Sequence, residues 1–224
     1  MRRPKFRSDT KASLRPNKLM GQHFLHSQAA LLAIVEAANL QPDDIVLEVG
    51  PGKGVLTKKL LERAKKVVAV EKDARFMELL QPLSLHLEII HGDILKRDDL
   101  FAKKYKLVAN IPYYLTSHLI KKFLHGKGEL AVLLIQEEVA RRIVAHPPHM
   151  NVLALSVQAF ADARIAKKVP RSSFRPAPRV DSAIIVIEKK KSFFEEYKIK
   201  EEDFFALVKK AFSGKRKKLR NTIG

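Results

Sequence analysis

Apolar positions along this chain fall in short runs that alternate with segments of helical period. "DIVLEVG" (44–50) is apolar almost throughout and predicts a strand buried on both faces. "GVLTKKLLERA" (54–64), directly after it, has the spacing of an amphipathic helix. The pair repeats as "KVVAVE" (66–71) and "DARFMELLQ" (73–81), where Pro82 supplies the stop. "LEIIHGD" (87–93) and "YKLVAN" (105–110) predict two more strands, and "SHLIKKFLH" (117–125) a helix. "ELAVLLIQ" (129–136) and "EEVARRIVA" (137–145) complete the series as strand and helix. Repeated strand–helix units with continuously apolar strands predict an α/β fold, a mostly parallel sheet covered on both faces.

The pattern changes after "HPPHMN" (146–151). "ARIAKKVP" (163–170) and "VDSAIIVIEKK" (180–190) predict two strands joined by a proline-rich connection, antiparallel at the sheet edge. "EEDFFALVKKAF" (201–212) is a last helix with an apolar stripe, expected to begin a helical unit beyond the sheet. The expected organisation is therefore a basic arm over 1–20, a catalytic domain over 21–190 and a partial helical domain over 191–224.

Composition narrows the classes. At 224 residues and 46% hydrophobic, the chain suits one core-bearing domain with a small appendage. It has no cysteine, which excludes a disulfide scaffold, a thiolate metal site and a cysteine nucleophile. The histidines show no ligand spacing, so no metal is expected. The longest apolar runs, such as "LAVLLI" (130–135), are too short to cross a bilayer, and "MRRPKFRSDTK" leads into no signal-peptide core. A cytoplasmic protein is expected.

Charge changes the picture most. Forty-three Lys and Arg oppose 24 Asp and Glu, a formal +19. The excess clusters at the two ends: Arg2, Arg3, Lys5, Arg7, Lys11, Arg15 and Lys18 in the first stretch, and "GKRKKLRNTIG" in the last. A lysine-rich soluble protein and a polyanion binder both have this balance; clustering favours nucleic acid, bound in a salt-dependent way.

In an open parallel sheet, ligands bind beyond the carboxyl ends of the strands, where strand order reverses. The first predicted strand ends in "EVGPGKG" (48–54), whose Gly50 and Gly52 permit close backbone approach. Val55 stands where the dinucleotide fingerprint needs glycine, so a ligand without pyrophosphate fits better, although a plain tight turn gives the same spacing. Glu71 ends the second strand, either as a solvated acid or as an acceptor for both hydroxyls of a ribose. Asp93 ends the third, within reach of an adenine amino group, and Asn110 ends the fourth. Together these strand ends describe a nucleoside pocket.

With these residues goes a resemblance. "GQHFL" (21–25), "EVGPGKG" (48–54), "VVAVEKD" (67–73), "GD" (92–93), "NIPYY" (110–114), "QEEVARRI" (136–143) and "FRPAPRVDSA" (174–183) follow one another as in the rRNA adenine-N6 dimethyltransferases, which this chain resembles. That family uses S-adenosylmethionine and includes KsgA-type small-subunit enzymes and Erm-type large-subunit resistance enzymes. The resemblance implies a class I methyltransferase fold with His23, Leu25, Gly50, Gly52, Glu71, Asp93 and Asn110 around the cofactor. It implies that the Asn110 side-chain oxygen and the Ile111 carbonyl hold the N–H groups of the target adenine. Pro112 would stiffen that turn, and Tyr113 and Phe174 would stack on the extruded base; core packing is the other reading of Phe174. The family often has Asn at the position of His23.

"LMGQHFL" and "RVDSA" resemble the small-subunit branch. The implied substrate is two adjacent adenosines in a loop near the 3′ end of small-subunit rRNA, on an immature subunit, with the enzyme a monomer. Family members normally continue past "KKLRN" into further short helices, so either the helical part is reduced to one or two helices or the chain is incomplete. An Erm-type enzyme and a non-catalytic rRNA-binding assembly factor are the alternatives.

Overall fold

The computed structural model describes residues 15–17, 20–191 and 193–213. Of the basic ends, Arg2, Arg3, Lys5, Arg7, Lys11, Lys18 and "GKRKKLRNTIG" lie outside the described residues. The described chain starts with strand β1 (Phe24–Leu25) and helix α1 (Gln28–Ala37), followed by β2 (Ile45–Val49), α2 (Val55–Leu61) and β3 (Lys66–Glu71). Next come α3 (Met77–Leu80), β4 (Leu87–His91), β5 (Tyr105–Asn110), α4 (Thr116–His125), β6 (Gly128–Gln136) and α5 (Glu137–Ile143). The remainder is α6 (Val152–Gln158), β7 (Ala161–Val169), β8 (Phe174–Arg175), β9 (Ser182–Lys189), α7 (Phe193–Tyr197) and α8 (Glu201–Phe212).

Seven strands form one sheet in the order β4-β3-β2-β5-β6-β9-β7, and β1 pairs with β8 in a separate two-stranded ribbon. The five strands from β4 to β6 are parallel, and β9 runs against both β6 and β7. The antiparallel pair sits at the sheet edge as predicted, but β9 is inserted inside β7. Its composition requires this: six consecutive residues, Ser182 to Ile187, are buried, so both faces and both edges need cover. β7 keeps one face exposed and takes the edge with Arg164, Lys167 and Lys168, charges that discourage further strand pairing.

Two apolar clusters, one on each side of the sheet, hold the layers together. Leu47, Val49, Leu107, Leu133, Ile135 and Ile185 pack with Leu119, Phe123 and Ile143 of α4 and α5. The alternate residues Val46, Val108, Val132, Leu134 and Ile184 pack with Leu31, Ile34, Leu56 and Leu60 of α1 and α2. The two-residue period of the strands is what deals neighbours to opposite clusters. Phe193, Phe194, Phe204 and Phe205 of α7 and α8 pack against the first cluster, so the last helix docks on the sheet domain's own core.

Three departures from the predicted elements have local causes. The helix over 73–81 is interrupted: Asp73 accepts from Arg75 N and turns the chain through a tight Ala74–Phe76 turn, and Pro82 shapes another at Gln81–Leu83. α1 lies outside the predicted set because "QAALLAIVEA" is apolar on too many sides to show a polar face. The β1–β8 ribbon is two residues long and carries no periodic signal.

β2 and β5 are neighbours, yet the chain leaves β2 toward β3 on one side while β5 begins the other half. The switch point therefore lies at Val49–Gly50 and Asn110, where a crevice opens.

Candidate active site

The glycine loop after β2 is held by the strand beside it. Gly50 N donates to Val70 O at 2.9 Å, and Gly52 N donates to a Glu71 carboxylate oxygen at 3.0 Å. The other Glu71 oxygen accepts from Asp73 N at 2.8 Å. Gly52 has φ +53, a backbone conformation that favours glycine, and a Cβ there would press on the Phe24 ring at 3.3 Å. A Cβ on Gly50 would meet nothing within 4 Å, because its open side faces the crevice. Glu71 is 5% exposed; burial pushes its carboxyl up, and the Asp73 and Gly52 N–H groups oppose the shift.

Asp93 has a different balance. One oxygen accepts from Leu95 N and the other from Lys72 Nζ, each at 3.0 Å. The Leu95 N–H first, then the Lys72 ammonium, hold its carboxyl below the ordinary range. It is therefore a ready acceptor at the end of β4.

Asn110 closes β5. Its Nδ2 donates to His23 O at 3.2 Å, which turns Oδ1 away from His23 and leaves it as an acceptor. The following turn is closed by Leu115 N donating to Pro112 O at 2.9 Å, with the Ile111 side chain 2% exposed beneath it. Tyr113 Oη shares a hydrogen bond with Ser182 Oγ at 2.8 Å, and burial pushes the phenol up. The His23 ring stacks on Tyr113 with centroids 6.2 Å apart and planes 23° from parallel. His23 Nδ1 lies 2.7 Å from Pro176 O; a carbonyl only accepts, so Nδ1 carries the proton.

His23, Leu25, Gly50, Gly52, Glu71, Asp93, Asn110, Ile111, Pro112 and Tyr113 all line this one concavity. Phe174 does not. It is 2% exposed, pairs across the ribbon with Leu25 and sits in the cluster under α1. Strand alternation turns Phe174 inward and Arg175 outward, so of its two expected places it occupies the core.

Several residues at the site carry no signal in their own neighbourhood. Gln22 Nε2 donates to Asp73 at 2.8 Å and clasps the N-terminal segment over the glycine loop. Asp73 is held down to about 2, first by the Arg75 guanidinium and also by Gln22. Glu48, 1% exposed, forms part of the crevice lining, and one of its oxygens has no hydrogen-bond partner among the described residues. Burial drives its carboxyl up to about 8. An acid flanked by apolar neighbours in a buried strand was the available hint. Tyr114, 55% exposed, stands at the rim beside Gly21. Among the described residues no cluster of His, Asp and Glu is arranged to hold a metal, and no helix is long and apolar enough to cross a membrane.

Known proteins share both sequence and fold. The family model described as ribosomal RNA adenine dimethylase matches residues 14–224. Ribosomal RNA small subunit methyltransferase A of Dehalococcoides mccartyi is 41% identical over 220 residues, covering 94% of this chain and 75% of the relative. A probable ribosomal RNA small subunit methyltransferase A of Methanosarcina mazei is 44% identical, covering 90% of this chain and 75% of its own. The crystal structure of a dimethyladenosine transferase from Plasmodium falciparum superposes with TM-score 0.78 at 34% identity, covering 89% of this chain and 74% of that one. That of the 23S rRNA methyltransferase ErmE gives TM-score 0.78 at 29% identity, over 89% and 83%. The match spans the glycine loop, the acidic strand ends and the Asn110 turn, and the chain belongs to the ribosomal RNA adenine dimethylase family.

Proposed function

We propose that this protein transfers methyl groups from S-adenosylmethionine to N6 of two adjacent adenosines near the 3′ end of small-subunit rRNA. The observation that carries the reading is Asn110: its Nδ2 is taken up by His23 O, which leaves Oδ1 as the free acceptor of a crevice-lining residue at the end of β5.

The residues fit the cofactor. Each Glu71 oxygen accepts one backbone N–H, and a carboxylate has about four acceptor sites, so each retains capacity for a ribose hydroxyl. Asp93 has the same spare capacity for an adenine amino group. Gly50 leaves its open side for the ligand, and His23 and Leu25 close the pocket from the N-terminal segment. When bound, S-adenosylmethionine supplies an electrophilic methyl on a sulfonium.

An adenine N6 is a weak nucleophile because its lone pair is delocalised into the ring. Asn110 Oδ1 and the Ile111 carbonyl accept its N–H groups and turn the lone pair toward the methyl, so the protein contributes position and electrostatics. Pro112 presents no N–H to compete for those acceptors. Tyr113, held by Ser182 and backed by His23, offers its face to the extruded base. Phe174 pairs with the crevice-lining Leu25 and packs in the core beside it. Residues 21–190 carry this chemistry in our reading, and the basic segments 1–20 and 191–224 add affinity for rRNA. The protein acts as a monomer in the cytoplasm, on the immature small subunit.

Transfer of tritium from labelled S-adenosylmethionine into small subunits lacking the 3′-end dimethyladenosines tests the proposal, with large subunits in parallel. Label recovered as dimethyladenosine in the small subunit is the expected result. Label confined to the large subunit would assign the chain to the resistance branch, and subunit binding without label would make it an assembly factor.

A further inference from the structure

The connection from β7 to β9 does more than join two strands. It is pinned to the wall of the crevice at several points: His23 Nδ1–H donates to Pro176 O at 2.7 Å, His26 N donates to Ser173 O at 3.0 Å, and Tyr113 bonds Ser182. Its two ends are closed on each other by Arg171 N donating to the Asp181 carboxylate at 2.8 Å. Ser182 pairs with both Gln136 and Val169, which puts the connection at the carboxyl end of β6, the same edge of the sheet as the crevice.

On this fixed scaffold Arg171, Arg175 and Arg179 recur every fourth residue, and all three are exposed. Among the described residues none of their guanidinium groups forms an ion pair. Of the nearby acids, Glu137 pairs with Arg141 and Lys168, and Asp181 accepts the Arg171 backbone N–H and forms no ion pair with these guanidinium groups. Arg75, Arg97 and Arg141 are each neutralised by a carboxylate, whereas Arg63, Arg142 and Arg164 form no ion pair among the described residues either, so it is the place of Arg171, Arg175 and Arg179 on the connection beside the crevice that sets them apart. Three exposed guanidinium groups without an ion pair, on a connection hydrogen-bonded to the crevice wall, offer positive charge to a polyanion beside the site.

Resting on the function proposed above, we propose that Arg171, Arg175 and Arg179 form a phosphate grip for the single-stranded rRNA on either side of the extruded adenosine. Because the loop is held before RNA arrives, little chain entropy is lost on contact. The contacts carry no sequence information; they fix the register in which an adenosine meets Asn110.

The experiment compares wild-type protein with a triple variant, Arg171→Ala, Arg175→Ala and Arg179→Ala, in binding to small subunits lacking the 3′-end dimethyladenosines across a salt series. A second triple, Arg63→Ala, Lys65→Ala and Lys103→Ala, removes equal charge at exposed positions by the amino ends of β3 and β5. Each single-strand phosphate contact contributes about 0.7 to the log–log salt slope, so the first triple should lower it by about 2. Extrapolated from a 1 M reference, that is about 40-fold weaker binding at about 0.15 M salt. S-adenosylmethionine affinity and turnover at saturating subunit should stay near wild type, and the second triple should leave the slope nearly unchanged. An unaltered slope in the first triple, or equal losses in both, overturns the grip. Absence of methyl transfer by the wild type instead overturns the function on which it rests.

Discussion

Replacing Glu48 by Gln should raise the stability of this protein at neutral and alkaline pH and lower it in acid. The Glu48 carboxyl is buried in β2, one of its oxygens lacks a partner, and burial first, then the Glu71 charge, raises it to about 8 against an ordinary 4.5. The folded protein therefore binds a proton at Glu48 that the unfolded chain releases between those values. For a raised carboxyl the stabilisation is complete below about 4.5 and is lost as pH climbs through about 8. The interval from about 4.5 to about 8 sets the full loss at about 5 kcal/mol, most of it gone by pH 7. Glutamine cannot ionise and escapes this loss, but it buries a carboxamide at a cost of about 1–3 kcal/mol. The variant should be less stable by about that cost near pH 4.5 and more stable by about 2 kcal/mol near pH 8, with a crossing between. Urea denaturation of both proteins at several pH values measures it. The raised Glu71 carboxyl has the same sign, so the variant keeps a shallower slope. A wild-type stability that rises between pH 5 and 8, or a difference that does not change with pH, would refute the reasoning.

Other changes separate binding from chemistry. Asn110→Ala removes an acceptor for the target amino group and should lower turnover by about 10²–10³ while cofactor affinity, followed by calorimetry, stays close to wild type. Glu71→Ala should weaken S-adenosylmethionine by about 100-fold or more, since hydrogen bonds to a charged group are worth about 1.5–3 kcal/mol each; an unchanged dissociation constant would reject the ribose role. His23→Asn retains a side-chain donor toward Pro176 and should keep most activity, whereas His23→Phe keeps a ring over Tyr113 but loses the donor. Turnover should fall in the Phe variant with little change in cofactor binding, and equal activity of the two would deny the Pro176 hydrogen bond a role. Gln22→Ala releases the clasp on Asp73 and should raise the cofactor dissociation constant without altering the rate at saturation.

That Glu71, Asp93 and Asn110 would line one crevice was legible because each follows an apolar run, and a parallel sheet brings the carboxyl ends of its strands to one edge. Local pattern alone determines that arrangement: continuous apolar strands, a glycine-rich loop after the first of them, and helices between. What pattern could not reach is contact between distant segments. Gln22 meets Asp73 across 51 residues, and His23 meets Pro176 across 153. The same limit hid the burial of Phe174 opposite Leu25, the insertion of β9 inside β7, and the protonation of Glu48, which depends on what packs around it. Thus the sequence by itself determined the class of fold, the edge that bears the site and the residue types gathered there, because these follow from periodicity along a single segment. Tertiary structure decided which oxygens remain free, which rings face the crevice and which arginines stand unpaired. Those properties belong to pairs of residues, and only packing chooses the partners.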